Sequence, residues 1–109
     1  MMIVSRTPLR VSFFGGGTDY PEYFMRARGA VLGMAIDKYI YISALRLSSV
    51  IDYRYRVSYS RIETVGDASE LQHPVVRSVV QHFEVTEPLD LSIMADLPAR
   101  SGLGSSSSF

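Results

Sequence analysis

The residues best suited to chemistry, by type and spacing, lie in Leu97-Pro98-Ala99-Arg100-Ser101-Gly102-Leu103-Gly104-Ser105-Ser106-Ser107-Ser108. This is a small-residue loop that follows an apolar strand and is suited to open a helix. Such a loop presents backbone N–H groups to an anion, and the helix behind it adds its positive dipole end. Serine hydroxyls add hydrogen bonds or a magnesium ligand. Pro98 starts the turn, while Gly102 and Gly104 allow close approach and unusual dihedrals. A Walker A loop is excluded because it needs a lysine, and this segment has none. The dinucleotide fingerprint is excluded because a third glycine at the right spacing is missing. Composition alone leaves a serine-rich tail open as the alternative.

A second constellation runs Arg6-Thr7-Pro8-Leu9-Arg10-Val11-Ser12-Phe13-Phe14-Gly15-Gly16-Gly17-Thr18-Asp19-Tyr20. From Arg10 to Asp19 it sets a guanidinium, a close-approach glycine loop and a carboxylate close together. Arginine offers a fork of donors that fits phosphate oxygens. Aspartate offers acceptors that fit paired sugar hydroxyls. Taken alone, the triple glycine also fits a plain hairpin turn.

Together the two segments resemble the GHMP kinases, the superfamily of galactokinase, homoserine, mevalonate and phosphomevalonate kinases. The loop from Pro98 through Ser106 matches that family's Pro-x-x-x-Gly-Leu-Gly-Ser-Ser motif. The first segment matches its substrate motif in the Arg-Val-x-x-x-Gly-Gly-Gly-Thr-Asp form, which looks most like the heptose 7-phosphate kinases. Galactokinases typically carry Gly-Glu-His-Thr-Asp-Tyr there, whereas this chain keeps Thr18-Asp19-Tyr20 behind Gly16-Gly17. The stretch Val31-Leu32-Gly33-Met34-Ala35-Ile36-Asp37 resembles the strand that follows.

The resemblance implies an α+β fold of the ribosomal protein S5 domain 2-like type, an N-terminal kinase domain over 1–109. It implies ATP and Mg²⁺ as cofactors. The nucleotide would be bound by Pro98, Arg100, Ser101, Gly102, Leu103, Gly104, Ser105, Ser106 and Ser107, with the backbone of Gly102 to Ser105 around its phosphates. Ser106 is the implied magnesium ligand, with Ser105 and Ser107 in contention. Arg10 would offset charge on the transferred phosphoryl, as expected where catalysis is mostly positioning and electrostatics. Asp19 would bind sugar hydroxyls, supported by the backbone at Gly16, Gly17 and Thr18. The family's catalytic base, adenine contacts and C-terminal domain would lie beyond Phe109. The chain is therefore expected to be truncated after the phosphate loop and inactive by itself.

The elements that must position these residues alternate strand and helix patterns. Residues 2–5 and 9–14 predict two strands broken at Thr7-Pro8. A glycine loop follows at 15–19, then a short helix from Pro21 through about Arg28, with Asp19 a candidate cap and Gly29 its end. Residues 30–36 and 39–47 are two strand candidates. Asp52 through Ser60 alternates, with Tyr53, Tyr55, Val57 and Tyr59 on one face. Residues 61–66 suit another short strand. Val75, Val76, Val79, Val80 and Phe83 form one helical stripe from Pro74 to about Glu84. Leu89, Leu91, Ile93 and Ala95 then alternate into the serine loop. Strand-rich order with two helices argues for α+β.

Bulk composition narrows the function classes. The chain has 109 residues, 47% hydrophobic and 20% charged, with zero formal net charge. Neutrality argues against a nucleic-acid partner. No apolar run approaches the roughly 20 residues that span a bilayer, and the first residues, with no basic stretch before a long apolar run, are not expected to act as a signal peptide. Absent cysteine removes thiolate zinc sites and cysteine nucleophiles and leaves a cytoplasmic address as the default. Lys38 is the single lysine beside ten arginines. His73 and His82 suit surface or helix-end roles better than metal binding. The Arg54, Arg56, Arg61 strip reads as a solvated strand face or, alternatively, a sugar-phosphate contact.

The expected function is transfer of the ATP γ-phosphate to a sugar or sugar-phosphate hydroxyl. The anomeric hydroxyl of D-glycero-D-manno-heptose 7-phosphate is the leading acceptor. A galactokinase- or fucokinase-type hexose kinase and a non-catalytic sugar-binding homologue are the alternatives.

Overall fold

A computed structural model describes residues 1–48, 52–98 and 109. In chain order the elements are β1 (Met2–Phe14), a 3-10 turn (Gly16–Asp19), α1 (Pro21–Phe24), β2 (Leu32–Arg46), β3 (Tyr55–Ser58) and β4 (Ile62–Val65). A second 3-10 turn (Ala68–Glu70), α2 (Pro74–His82) and β5 (Leu89–Ala95) follow. The class is α+β. Two compact units divide the chain: Met1–Arg6 with Tyr41–Ala95, and Thr7–Ile40 with Asp96–Phe109. Among the described residues no helix is long and apolar enough to cross a membrane.

The first unit carries a sheet in the order β1-β2-β5-β3-β4. β3 pairs antiparallel with β4 and parallel with β5, with Tyr55 opposite both Val65 and Leu89. A parallel pair needs a crossover, and α2 lies in the connection that makes it. Pro74 suits the first turn of α2 because that N–H has no helical partner anyway. His73 caps it, its Nδ1 accepting from Val76 N at 3.3 Å. Val76 and Val80, one turn apart, are buried with Leu71, Tyr55 and Val57. The predicted stripe is wider than the real one: Val79 and Phe83 are exposed. The helix ends at His82, and Phe83 instead sets its ring edge-on to His82 at 5.0 Å.

One buried carboxylate organises the approach to α2. Glu63 on β4 is 8% exposed. It accepts from Tyr59 Oη at 2.6 Å, Gln72 N at 2.7 Å and His73 N at 3.2 Å. The Tyr59 hydrogen bond holds its carboxyl below the usual range; burial works against that, and the two backbone bonds add to it. The same bond, with burial, pushes the Tyr59 phenol up. A depressed carboxylate contributes stability that is present above its unfolded value, about 4.3, and lost as pH falls through the folded value. The unfolding midpoint is therefore expected to drop in acid below about pH 4, and Glu63→Gln to flatten that drop. Urea titrations at a series of pH values check it; an equally steep drop in Glu63→Gln would refute the assignment.

The second unit is built on the remainder of β1 and β2, where Leu9 and Ile40 are buried. The break expected at Thr7-Pro8 is absent, and β1 runs through it. Proline is barred from central strands because it cannot donate to the ladder, but β1 ends the strand order and tolerates it. β2 likewise runs unbroken through Asp37-Lys38, two exposed side chains. Glycines 16 and 17 sit in a 3-10 turn rather than an irregular loop. Asp19 ends that turn; the N-cap of α1 is Tyr20, without a side-chain cap bond. α1 itself stops at Phe24, well before Gly29.

Candidate functional site

β1 carries Arg10 and Ser12 two residues apart, hence on one face of the strand. The 3-10 turn that follows brings back Gly16 and Asp19. β2 contributes Val31, just before its start, and Gly33. These residues and Val11 line a pocket of about 220 Å³ in the second unit. That is below the roughly 300–1,000 Å³ that holds drug-sized ligands, so its scale suits a small polar metabolite. The lining sets a guanidinium and a carboxylate around a hydroxyl and bare backbone. Among the described residues, neither the Arg10 nor the Asp19 side chain is engaged in a hydrogen bond or ion pair. Both are therefore available to a ligand that offers an anion and hydroxyl donors.

Glycine is required here at defined points. Gly15 has φ +90°, and a Cβ on it would run into the Ala30 carbonyl. A Cβ on Gly33 would stand 2.9 Å from Val11 O. Gly17 has nothing within 4 Å of where a Cβ would stand, so the fold itself does not demand glycine there. Gly15→Ala is expected to cost the chain about 2–3 kcal/mol, combining left-handed strain with a backbone clash. Chemical denaturation measures this; a loss under about 0.5 kcal/mol, the scale of an ordinary surface substitution, would contradict the geometry.

Of the acceptor residues named from sequence, Arg10, Gly16 and Asp19 meet at the pocket. Gly17 and Thr18 are not among its lining residues; the Thr18 hydroxyl turns to Gly15 O at 2.7 Å. Ser12, Val31 and Gly33 line the pocket without having been singled out. Period-two alternation from Arg10 could have found Ser12, but Gly33 needs the β1–β2 register. Of the phosphate-loop residues, Pro98 is described and exposed. Arg100, Ser101, Gly102, Leu103, Gly104, Ser105, Ser106 and Ser107 lie outside the described residues. The segment leading to them is tied to β2: Tyr39 N donates to Asp96 Oδ2 at 2.8 Å, and Asp96 N donates to Tyr39 O at 2.9 Å.

The arginine strip is engaged locally. Arg54 Nε donates to Thr86 O at 2.9 Å, Arg56 pairs with its register partner Asp90 at 3.9 Å, and Arg61 donates to Gln72 at 3.0 Å. This favours the solvated strand face. Among the described residues no group of three His, Asp or Glu side chains could hold a metal ion.

No family model matches the chain. Over 96% of its length it is 31% identical to the D-glycero-alpha-D-manno-heptose 7-phosphate kinase of Campylobacter jejuni subsp. jejuni serotype O:2, and it spans 34% of that kinase. Its fold matches that of a D-glycero-D-manno-heptose 1-phosphate kinase from Bacteroides thetaiotaomicron. There the TM-score is 0.77 at 24% identity, over 98% of this chain and 38% of the other. A mevalonate kinase from methicillin-resistant Staphylococcus aureus shares the fold at a TM-score of 0.57 and 19% identity, over 98% of this chain and 34% of its own. These neighbours point to the GHMP kinase family. Two of the three are heptose-phosphate kinases, and the chain has the mixed α+β fold of the GHMP N-terminal domain.

Proposed function

We propose that this chain is the N-terminal portion of a GHMP-type sugar kinase and that the Arg10–Asp19 pocket receives the acceptor sugar. The convergence of Arg10, Gly16 and Asp19 on one small pocket carries this reading. The 31% identity to a heptose 7-phosphate kinase supports the acceptor class. In the proposed reaction the acceptor's anomeric hydroxyl attacks the γ-phosphorus of ATP. The new O–P bond forms as the β,γ P–O bond breaks, ADP leaves, and the hydroxyl proton passes to solvent. Asp19 accepts hydrogen bonds from sugar hydroxyls and fixes the ring. Arg10 offsets charge on the phosphoryl group in transit. The bare backbone of Gly16, where a Cβ would meet only Ser12 Oγ at 4.0 Å, leaves room for the sugar.

The serine hydroxyls of the 97–108 loop are hard oxygen donors of the kind Mg²⁺ takes, with Ser106 the proposed ligand. Bound there with ATP, the ion would neutralise charge on the nucleotide phosphates. The test is ADP release by the natural protein with D-glycero-D-manno-heptose 7-phosphate, galactose and fucose. Turnover with the heptose phosphate alone is expected. Turnover with galactose or fucose would move the acceptor to the hexoses, and no turnover with any sugar would leave a binding protein.

A further inference from the structure

Thr18 lies beside the pocket without lining it, and its neighbours are arranged around its side chain. Its hydroxyl donates to Gly15 O at 2.7 Å and stands 3.3 Å from Ala30 O. Its amide also donates to Gly15 O, at 2.9 Å. A Cβ on Gly29 would come within 2.8 Å of Thr18 Oγ1, 2.9 Å of its Cβ and 3.1 Å of its carbonyl oxygen. The left-handed region does not explain that glycine, since Gly15 alone among the described glycines has positive φ. Gly29 makes room for Thr18. The side chain therefore bridges the start of the β1–β2 connection, at Gly15, to its end, at Ala30.

We propose that Thr18 is a positioning residue, a latch that holds the Gly16–Asp19 turn so that Gly16 and Asp19 face the pocket. The proposal rests on the reading of that pocket as the acceptor site. A hydroxyl has one proton to give, and its short bond to Gly15 O fixes the side chain; Ala30 O, at 3.3 Å, receives only the weaker arm of a bifurcated bond. Valine has the same shape without the donor. Serine keeps the donor and loses only the methyl.

The test uses the natural protein carrying Thr18→Val, Thr18→Ser, Gly29→Ala or Asp19→Asn. Amide exchange at 15–19 and the Asp19 carboxyl carbon resonance report the latch without a ligand; exchange at Tyr55 and Val57 reports folding. D-glycero-D-manno-heptose 7-phosphate is the binding probe. Thr18→Val is expected to speed exchange at Thr18 and weaken the probe's affinity, each roughly tenfold, the size of one lost hydrogen bond. It should also shift the Asp19 resonance. Thr18→Ser should restore all three to within about twofold. Gly29→Ala, which presses on the side chain but keeps the hydroxyl, should shift the Asp19 resonance if the Thr18→Val chain does not fold. Unchanged exchange and resonance in both Thr18→Val and Gly29→Ala, or no rescue by serine, overturns the latch. Unchanged probe affinity in Asp19→Asn overturns the acceptor reading, and the exchange and resonance measurements still decide the latch.

Discussion

Asp19→Asn is expected to weaken sugar binding roughly a hundredfold while leaving ATP binding and the fold intact. Hydrogen bonds to a charged group contribute about 1.5–3 kcal/mol each. A carboxylate can accept from two neighbouring hydroxyls, whereas the amide keeps one acceptor and turns a donor toward the other. Losing one charge-assisted bond and mispairing the second amounts to about two decades at 1.4 kcal/mol each. The Asp19 side chain is not engaged in a hydrogen bond or ion pair among the described residues, so the urea midpoint should stay in place. Calorimetric titration with the heptose phosphate measures the first effect and denaturation the second. Affinity reduced only in step with stability would make Asp19 a structural residue.

Arg10→Gln is expected to fall on the chemical step instead. An arginine that stabilises a phosphoryl group in transit is associated with roughly 10³–10⁵ in rate. The lower end fits here, because Arg10 is exposed and water shares in screening the charge. Kcat should drop about a thousandfold with KM for the sugar little changed, the pattern of an interaction made only in the transition state. A raised KM at constant kcat would move Arg10 to ground-state recognition of the acceptor's own phosphate. Steady-state kinetics on the natural protein separates the two.

What could be read from sequence depended on how local the deciding interaction is. The β5 strand follows from its alternation over Leu89–Ala95, and the start of α2 from Pro74 and the Val76–Val80 spacing. Arg10 and Asp19 were legible because their side-chain chemistry is unusual beside three glycines. Pro8 was misread because a proline's cost in a strand depends on which strands flank it, and only the sheet order supplies that. Asp19 was misread as a cap because the 3-10 turn absorbs it before α1 begins. Gly33 entered the pocket through the pairing of β1 with β2, whereas Ser12 follows from alternation along β1. The inward turn of the Thr18 hydroxyl depends on a carbonyl 12 residues away, which no local pattern announces.

The paired bonds between Tyr39 and Asp96 join residues 57 positions apart, and they set an order of assembly. Thr7–Ile40 leaves the ribosome first, and all of Tyr41–Ala95 must follow before its complement Asp96 exists. Closing a flexible loop of that length costs on the order of 4 kcal/mol in chain entropy. Prior folding of the intervening segment, whose ends lie on the neighbouring strands β2 and β5, removes most of that cost. The Tyr39–Asp96 pairing is thus half encoded early and completed late. Substitutions that slow the Tyr55–Val57–Val76–Val80 core should delay closure of the Tyr39–Asp96 pair, which they never touch.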